Sequence, residues 1–200
     1  MNIKFIKWKW TKKNIIIASA AAAVVVAAIV LTLVLTLGGG VGKMAKRYEK
    51  SVKSATSIVR TTEITNGDAV AFSETKTITF TDKDNAEIVT KKKVLSDYKM
   101  DLDETTSTAS GEIDRSSLVA VNLDKSIFEK GYSYKGKTFI GKVKAENVGK
   151  LFQGSTALSV SGDVDVKVEL TGSRIKQITC SYTTSDGNVA TVAIAYAYGK

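Results

Sequence analysis

The stretch DVDVKVELTGSRIKQITCSYTTSDGNVATVAIAYAY, residues 163–198, alternates apolar and polar side chains with a period of two. This period is typical of β-strands that have one covered face. Gly172-Ser173 and Asp186-Gly187 interrupt it and predict two turns, so we expect three antiparallel strands covered on one side. Cys180 has the parity of the covered face, which predicts a buried, inert thiol. The other residues of that face, which would line any ligand cavity, are Val164, Val166, Val168, Leu170, Ile178, Tyr182, Val192, Ile194 and Tyr196.

The same period describes much of the chain between residues 61 and 143. Val70, Phe72, Ile78 and Phe80 share parity and are expected on one face. Residues 103–117, DETTSTASGEIDRSS, are polar and Ser/Thr-rich, which predicts a long surface loop. Further expected elements are hairpin turns at Asn66-Gly67, at 82–85 and at Lys135-Gly136, and a short helix at 145–152 that buries Val148, Leu151 and Phe152.

Residues 43–60, KMAKRYEKSVKSATSIVR, have a helical period instead. Their apolar side chains fall on one face and their basic side chains on the others. Two interpretations follow: a helix packed on the sheet, which the apolar stripe favours, or a basic helix on anionic lipid headgroups. The apolar stripe consists of Met44, Tyr48, Val52, Ala55 and Val59.

Residues 15–37, IIIASAAAAVVVAAIVLTLVLTL, contain no charge, no proline and no glycine. A helix of 23 residues is about 35 Å long, enough to cross a hydrocarbon core of about 30 Å. The lysines of residues 1–14 predict that the N-terminus is cytoplasmic and that everything after the helix is extracytoplasmic. The alternative, a cleaved signal peptide, is less favoured because its apolar region has roughly 7–15 residues. The Gly-rich residues 38–42 are predicted as a linker to a domain of residues 43–200.

Composition argues against most catalysis. The chain has no histidine and one cysteine, which removes the commonest general base, the commonest metal ligand and any Cys-His pair. Five of the 29 basic residues precede Asn14, and the remaining 24 accompany 20 acidic residues, a net charge of +4. That excess is too small to predict a nucleic-acid interface. We therefore predict no enzymatic activity, no catalytic residue, no cofactor and no metal site.

Two motifs resemble binding loops. Residues 131–138, GYSYKGKT, match the phosphate-loop pattern G-x-x-x-x-G-K-[ST], but two tyrosines occupy the interior and a strand-like segment follows. We interpret this string as a hairpin around a Lys-Gly turn. The pairs Asp82/Asp84 and Asp101/Asp103 resemble the start of a calcium loop, but neither is followed by the required ligand and glycine, so both are interpreted as solvated turns.

The order of elements resembles the LolA/LppX-like lipoprotein-carrier superfamily. The predicted helix 43–60 leads directly into TTEITNGDAVAFSETKTITF (61–80), and FIGKVKAENVGKLFQG (139–154) precedes the strands of 163–184 and 189–198. The resemblance covers residues 43–200 and implies a sheet wrapped around a helix, with acyl chains held in the cavity. It contains no specific motif that would transfer a functional residue. The chain departs from the family by its predicted anchor, which argues against shuttling between membranes.

The sequence therefore predicts an α+β protein with an N-terminal transmembrane helix and then one helix packed on a curved antiparallel sheet. Its predicted location is a bacterial cell membrane, crossed once. The predicted function is an extracytoplasmic binding module of the cell envelope for a lipid or other amphiphile, without nucleic-acid partners. The alternative is a structural, interaction or sensor ectodomain whose core is filled.

Overall fold

A curved antiparallel sheet of nine strands is the framework of the part of the chain that the computed structural model describes, which is residues 43–95, 102–128, 132–152 and 160–199. These residues belong to one compact unit, Val41–Lys200. The predicted segments 1–14, 15–37 and 38–42 lie outside the described residues, and no described helix is long and apolar enough to cross a membrane. The strands are β1 (Ser57–Asn66), β2 (Ala69–Phe80), β3 (Asn85–Leu95), β4 (Leu102–Glu112), β5 (Tyr132–Lys135), β6 (Thr138–Val143), β7 (Val160–Thr171), β8 (Arg174–Thr184) and β9 (Val189–Ala197).

The strand order is β4-β3-β2-β1-β9-β8-β7-β6-β5. Each strand pairs with its sequence neighbour, except that β1 pairs with β9 and so joins the two halves of the sheet. The predicted hairpin at Asn66-Gly67 is confirmed, with Asn66 opposite Ala69 and Gly67 at a φ of 58° that favours glycine. The predicted turns at 82–85, at Lys135-Gly136, at Gly172-Ser173 and at Asp186-Gly187 likewise connect paired strands.

Helix α1 (Met44–Ser54) packs on the sheet, as the apolar stripe predicted. Its buried side chains are Met44, Tyr48, Ser51 and Val52, which we call the buried stripe of α1. The Ser51 hydroxyl donates to the Arg47 carbonyl at 2.6 Å and accepts the Ile175 N–H at 2.8 Å, so it connects the helix to β8. α2 (Val148–Leu151) is shorter than the predicted 145–152 helix and follows a 3-10 turn, and Val148, Leu151 and Phe152 are buried as predicted.

The predicted continuation of α1 to residue 60 is wrong. The helix ends at Ser54, Ala55 is extended with ψ of 140°, and Val59 lies in β1. Residues 57–66 instead exchange backbone hydrogen bonds with both β2 and β9. The two neighbouring strands pair with the backbone N–H and C=O groups on both sides of this segment, and its β-branched residues suit a strand. Strand pairing therefore prevails over the helical period.

The predicted surface loop at 103–117 is also wrong, because most of it is β4. This strand pairs with β3 over its whole length, from Asn85 opposite Glu112 to Leu95 opposite Leu102. It lies at the sheet edge, and residues 105–112 are exposed on both faces. A strand without a covered face has no apolar alternation, so its sequence is indistinguishable from that of a polar loop.

A β-bulge at Ala71 corrects the predicted face of β2. Ile64 pairs with Phe72 and Thr65 with Val70, which leaves Ala71 as the extra residue on β2. Directly opposite residues point to the same side of a sheet, so Val70 lies on the face of Thr65 and Phe72 on the other. Val70 therefore does not share a face with Phe72 and Ile78, despite its parity.

The hydrophobic core lies between one face of the sheet and the elements α1, 113–128 and 145–152. Tyr48 contacts Tyr196 edge to face with ring centroids 6.1 Å apart, and its hydroxyl accepts the Ala120 N–H at 3.2 Å. At the other end, Phe139 is surrounded by the rings of Phe128, Tyr132 and Tyr134 at 5.1–5.9 Å. The largest fully buried side chains are Tyr48, Phe128, Phe139, Met44, Leu123, Ile127, Leu151, Ile175 and Ile178.

Candidate functional site

The residues predicted to line a cavity all lie in the core-facing layer of β7, β8 and β9. Eight of the nine are buried, and Leu170 is half-buried. Val164, Val168 and Ile178 expose no surface, although an enclosed void of water size beside them would expose some. Their placement on one apolar face is as expected. The role of these nine residues in lining a ligand cavity stays a prediction.

Burial decreases along the same face of the sheet from β8 toward β3. Directly opposite side chains form rows across the strands: an apolar row, two polar rows and then a second apolar row. In this order they are Ile58/Ile78/Ile88, Arg60/Lys76/Thr90, Thr62/Glu74/Lys92 and Ile64/Phe72/Val94. We call the two middle rows the polar band, the last row the outer apolar row, and the three together the amphipathic strip.

The outer apolar row continues the core but is progressively more exposed. On the β8 side, Tyr182 pairs with Ala190 and Ala190 pairs with Ile64, and both Tyr182 and Ala190 are buried. Ile64 and Phe72 are half-buried, and Val94 is 43% exposed. Neighbouring strands lie about 4.8 Å apart, so the three residues of the row form an apolar track of roughly 10 Å on the surface of the sheet.

The polar band contains three cations, Arg60, Lys76 and Lys92, and one carboxylate, Glu74. Lys92 Nζ lies 3.4 Å from Glu74 Oε2 and 5.9 Å from the centre of the Phe72 ring. Both charged side chains remain substantially exposed, at 46% for Lys92 and 32% for Glu74. An exposed pair of this kind contributes only about 0–1 kcal/mol, so Lys92 can exchange its partner at little cost.

Tyr182 marks the buried end of the strip. Its ring packs on Phe152 with centroids 5.7 Å apart. Burial raises the pKa of the Tyr182 hydroxyl, the nearby Cys180 adds to the rise, and the positive charge of Arg60 opposes it. The strip offers cationic groups beside an apolar track, a combination that suits an anionic amphiphile.

Sequence reasoning placed the site on the last three strands and missed the strip on β1–β3. The available signal was the alternation in residues 61–80 together with the Asn66-Gly67 turn. A two-residue turn without a bulge would pair Ile64 with Ala71, and only the bulge brings Ile64 opposite Phe72. The outer apolar row could not be assembled without that register.

Two of the other sequence motifs form turns, whereas the solvated turn predicted at Asp101/Asp103 is wrong, because Asp103 lies in β4 opposite Val94; Asp101 lies outside the described residues. Residues 132–143 are the β5–β6 hairpin, as predicted, with Gly136 in the turn at a φ of 61° and Thr138 in β6; Gly131 lies outside the described residues. Asp82 accepts hydrogen bonds from the N–H groups of Asp84 and Asn85 at 2.9 and 2.8 Å, which lowers its pKa. Within the residues that the structure describes, no cluster of three carboxylate or cysteine side chains could hold a metal ion.

Cys180 is fully buried, as predicted. Burial raises the pKa of its thiol to about 12, so the thiol is protonated at neutral pH. Two surface clefts of the described residues lie away from the amphipathic strip. One, of about 500 Å³, lies near Thr81, Glu87 and Ser110, and the other, of about 480 Å³, lies on α1.

Comparison with known proteins shows only remote similarity. No protein-family model matches the chain, and no curated protein matches it. LprF from Mycobacterium bovis has a similar solved structure, with a TM-score of 0.39 and 11% identity over 78% of this chain and 91% of that one. Two redesigned β-barrels are also similar. The first has a TM-score of 0.23 and 10% identity over 74% of this chain and 94% of that one. The second, mFAP1 bound to DFHBI, has a TM-score of 0.22 and 12% identity over 74% of this chain and 98% of that one. The match to LprF is a distant fold relationship at most, and scores this low carry no argument about function.

Proposed function

We propose that the chain is a membrane-anchored, extracytoplasmic binding module of a bacterial cell envelope that holds an anionic amphiphile on the amphipathic strip. The observation that carries this proposal is that the polar band, with its three cations, shares a face with the outer apolar row, and that Lys92 lies in the row directly next to it. An acyl chain would lie along Ile64, Phe72 and Val94, and an acidic headgroup would replace Glu74 as the partner of Lys92. No catalysis is proposed.

The anchor in this proposal is residues 15–37, and the cytoplasmic segment is residues 1–14. Both rest on the sequence: 23 uncharged residues follow five lysines and two tryptophans, which suit a membrane interface. A tethered domain meets amphiphiles of its own membrane and needs no release step between membranes.

A photo-crosslinking experiment tests the binding site. The full chain is reconstituted into phosphatidylcholine nanodiscs with a fatty acid that carries a diazirine on its chain, and crosslinked peptides are located by mass spectrometry. We expect crosslinks concentrated in β1–β3 and saturable by unlabelled fatty acid. A fatty alcohol of the same length should crosslink less, because it cannot pair with the cations of the polar band.

Two variants make this test specific. Phe72→Thr removes the centre of the outer apolar row, and Ile140→Thr removes an apolar side chain of β6 that is 39% exposed. Ile140 alternates with the buried Phe139 and therefore lies on the opposite face of the sheet. The proposal requires that Phe72→Thr lowers saturable crosslinking and that Ile140→Thr does not. Equal crosslinking in both variants would show that the strip is not the site.

The alternative function is a structural, interaction or sensor ectodomain without a ligand. The dense packing on β7–β9 favours it, since the three residues with no exposed surface leave no room for a bound molecule beside them. This alternative predicts crosslinks that fatty acid does not saturate and that neither variant changes.

A further inference from the structure

One face of α1 carries positive charge that the fold leaves exposed. Lys46, Lys50 and Lys53 are exposed and fall within an arc of about 60° when successive residues are placed 100° apart. That arc is opposite the buried stripe of α1. Residues 43–54 contain five basic residues, and their acidic residue, Glu49, lies at the side of the arc. We call Lys46, Lys50 and Lys53 the basic face of α1.

Several lysines of the sheet lie close to carboxylates, whereas the lysines of the basic face of α1 do not. On β6 and β7, Lys142 Nζ lies 3.2 Å from Asp165 Oδ1, and Lys167 Nζ lies 2.8 Å from Glu169 Oε1. In the part of the chain that the structure describes, no ion pair joins the basic face of α1 to Glu49 or to another carboxylate. The charge of the helix is therefore available to a partner outside the domain.

The shape of this face suits small acidic groups. Lys46, Lys50 and Lys53 surround a shallow depression of about 480 Å³ together with Glu49 and Ser54. No apolar residue is part of this described lining, so the depression offers ammonium groups, one carboxylate, one hydroxyl and the methylene stems of its lysines. Such a surface holds headgroups by electrostatic attraction without insertion into the acyl layer.

We propose that the basic face of α1 docks on anionic phospholipid headgroups of the membrane that holds the anchor. This inference rests on the proposed function, because it needs residues 15–37 in that membrane. Five linker residues, 38–42, span at most about 18 Å when fully extended, so α1 begins near the surface that its lysines would contact. At physiological salt, ions screen the electrostatic potential of an anionic surface over about 8 Å. The lysines of α1 must therefore be held close to the headgroups, which a short linker achieves.

Lysine acylation of the full chain in nanodiscs tests this inference. Discs contain phosphatidylcholine alone or phosphatidylcholine with phosphatidylglycerol, and a water-soluble succinimidyl ester is the reagent. We expect the basic face to react about fivefold more slowly in the anionic discs, the factor that corresponds to the attraction of one cation near such a surface. High salt should abolish the difference. Lys142 and Lys167, on the opposite face of the sheet, are internal controls that should not change.

A matched pair of charge reversals completes the test. Lys50→Glu should reduce the lipid-dependent protection of Lys46 and Lys53, and Lys142→Glu, with the same change in net charge, should leave it intact. Equal acylation in both lipids, or protection that persists in phosphatidylcholine alone, overturns the inference; the latter would indicate an acidic protein surface as partner. Fatty-acid crosslinks on the strip without lysine protection would leave the proposed function standing. A chain that does not co-purify with discs overturns both.

Discussion

Arg115 should contribute more to stability than any other side chain outside the core, because it holds the C-terminal end of α1. It lies in a 3-10 turn, Arg115–Leu118, that follows β4. Its Nη1 donates to the carbonyls of Val52, Lys53 and Ala55 at 3.3, 3.1 and 2.9 Å. These are carbonyls that the end of a helix leaves without intrahelical partners, and a cation there also opposes the negative end of the helix dipole.

The same guanidinium holds the β2–β3 turn. Nε donates to the Lys83 carbonyl at 2.9 Å, Nη2 donates to the Asp82 carbonyl at 3.1 Å, and Cζ lies 3.6 Å from the centre of the Phe80 ring. Arg115 thus joins α1 to the sheet through a planar group whose donors point in fixed directions. Lysine cannot reproduce this geometry.

We expect Arg115→Ala to lower the free energy of unfolding by about 3 kcal/mol. Three of the five hydrogen bonds are exposed, so we count only the two part-buried ones, at about 1.5 kcal/mol each, and treat the stacking as a further fraction. For a domain of this size that corresponds to a fall in Tm of roughly 6–12 °C. Arg115→Lys should recover less than half of the loss.

Guanidinium unfolding of the full chain, followed by the far-ultraviolet circular dichroism of the sheet, measures this loss. The matched control is Arg174→Ala, since Arg174 also stacks on a ring, Tyr198 at 4.8 Å, but no hydrogen bond to a carbonyl is described for it. Arg174→Ala should lower the free energy of unfolding by about 1 kcal/mol or less. The reasoning is refuted if Arg115→Ala costs no more than Arg174→Ala, or if hydrogen exchange in α1 does not accelerate.

Three further predictions concern buried groups. Ser51→Ala should cost about 1–3 kcal/mol because it leaves a buried N–H of β8 without an acceptor, whereas Ser54→Ala, which removes an exposed hydroxyl, should be nearly neutral by the same unfolding assay. Gly141→Ala should lower the free energy of unfolding by about 1–3 kcal/mol, since its Cβ would lie 2.7 Å from the ring of Phe128. Gly149→Ala in α2 is the matched control: its Cβ would meet no atom within 4 Å, so it should raise the free energy of unfolding by about 0.4–1 kcal/mol. Cys180 should resist iodoacetamide at pH 8 until the chain is unfolded; rapid labelling of folded protein would contradict its burial.

The raised pKa of Cys180 also implies a pH dependence. Above its ordinary value of 9.0 the unfolded chain releases the thiol proton, and the folded chain retains it up to about 12. The unfolded state then binds fewer protons, so this group lowers stability as pH rises through that window.

The sequence alone determined the features that depend on near neighbours along the chain. The alternation at residues 163–198 requires strands with one covered face, and Gly172-Ser173 and Asp186-Gly187 supply the turns between them. The stripe from Met44 to Val52 requires a helix with one buried side. In each case a period or a turn residue is a local consequence of backbone geometry, and it can be read without knowledge of the partner.

The tertiary structure alone decided which segments pair and in what register. β4 is a strand because β3 offers it a hydrogen-bonding edge, and α1 ends at Ser54 because β2 and β9 compete for the residues that follow. The amphipathic strip exists because one extra residue, Ala71, turns Phe72 toward Ile64. Strand pairing joins residues that are distant in sequence, and a register shift of one residue moves a side chain to the other face, so local patterns do not specify it.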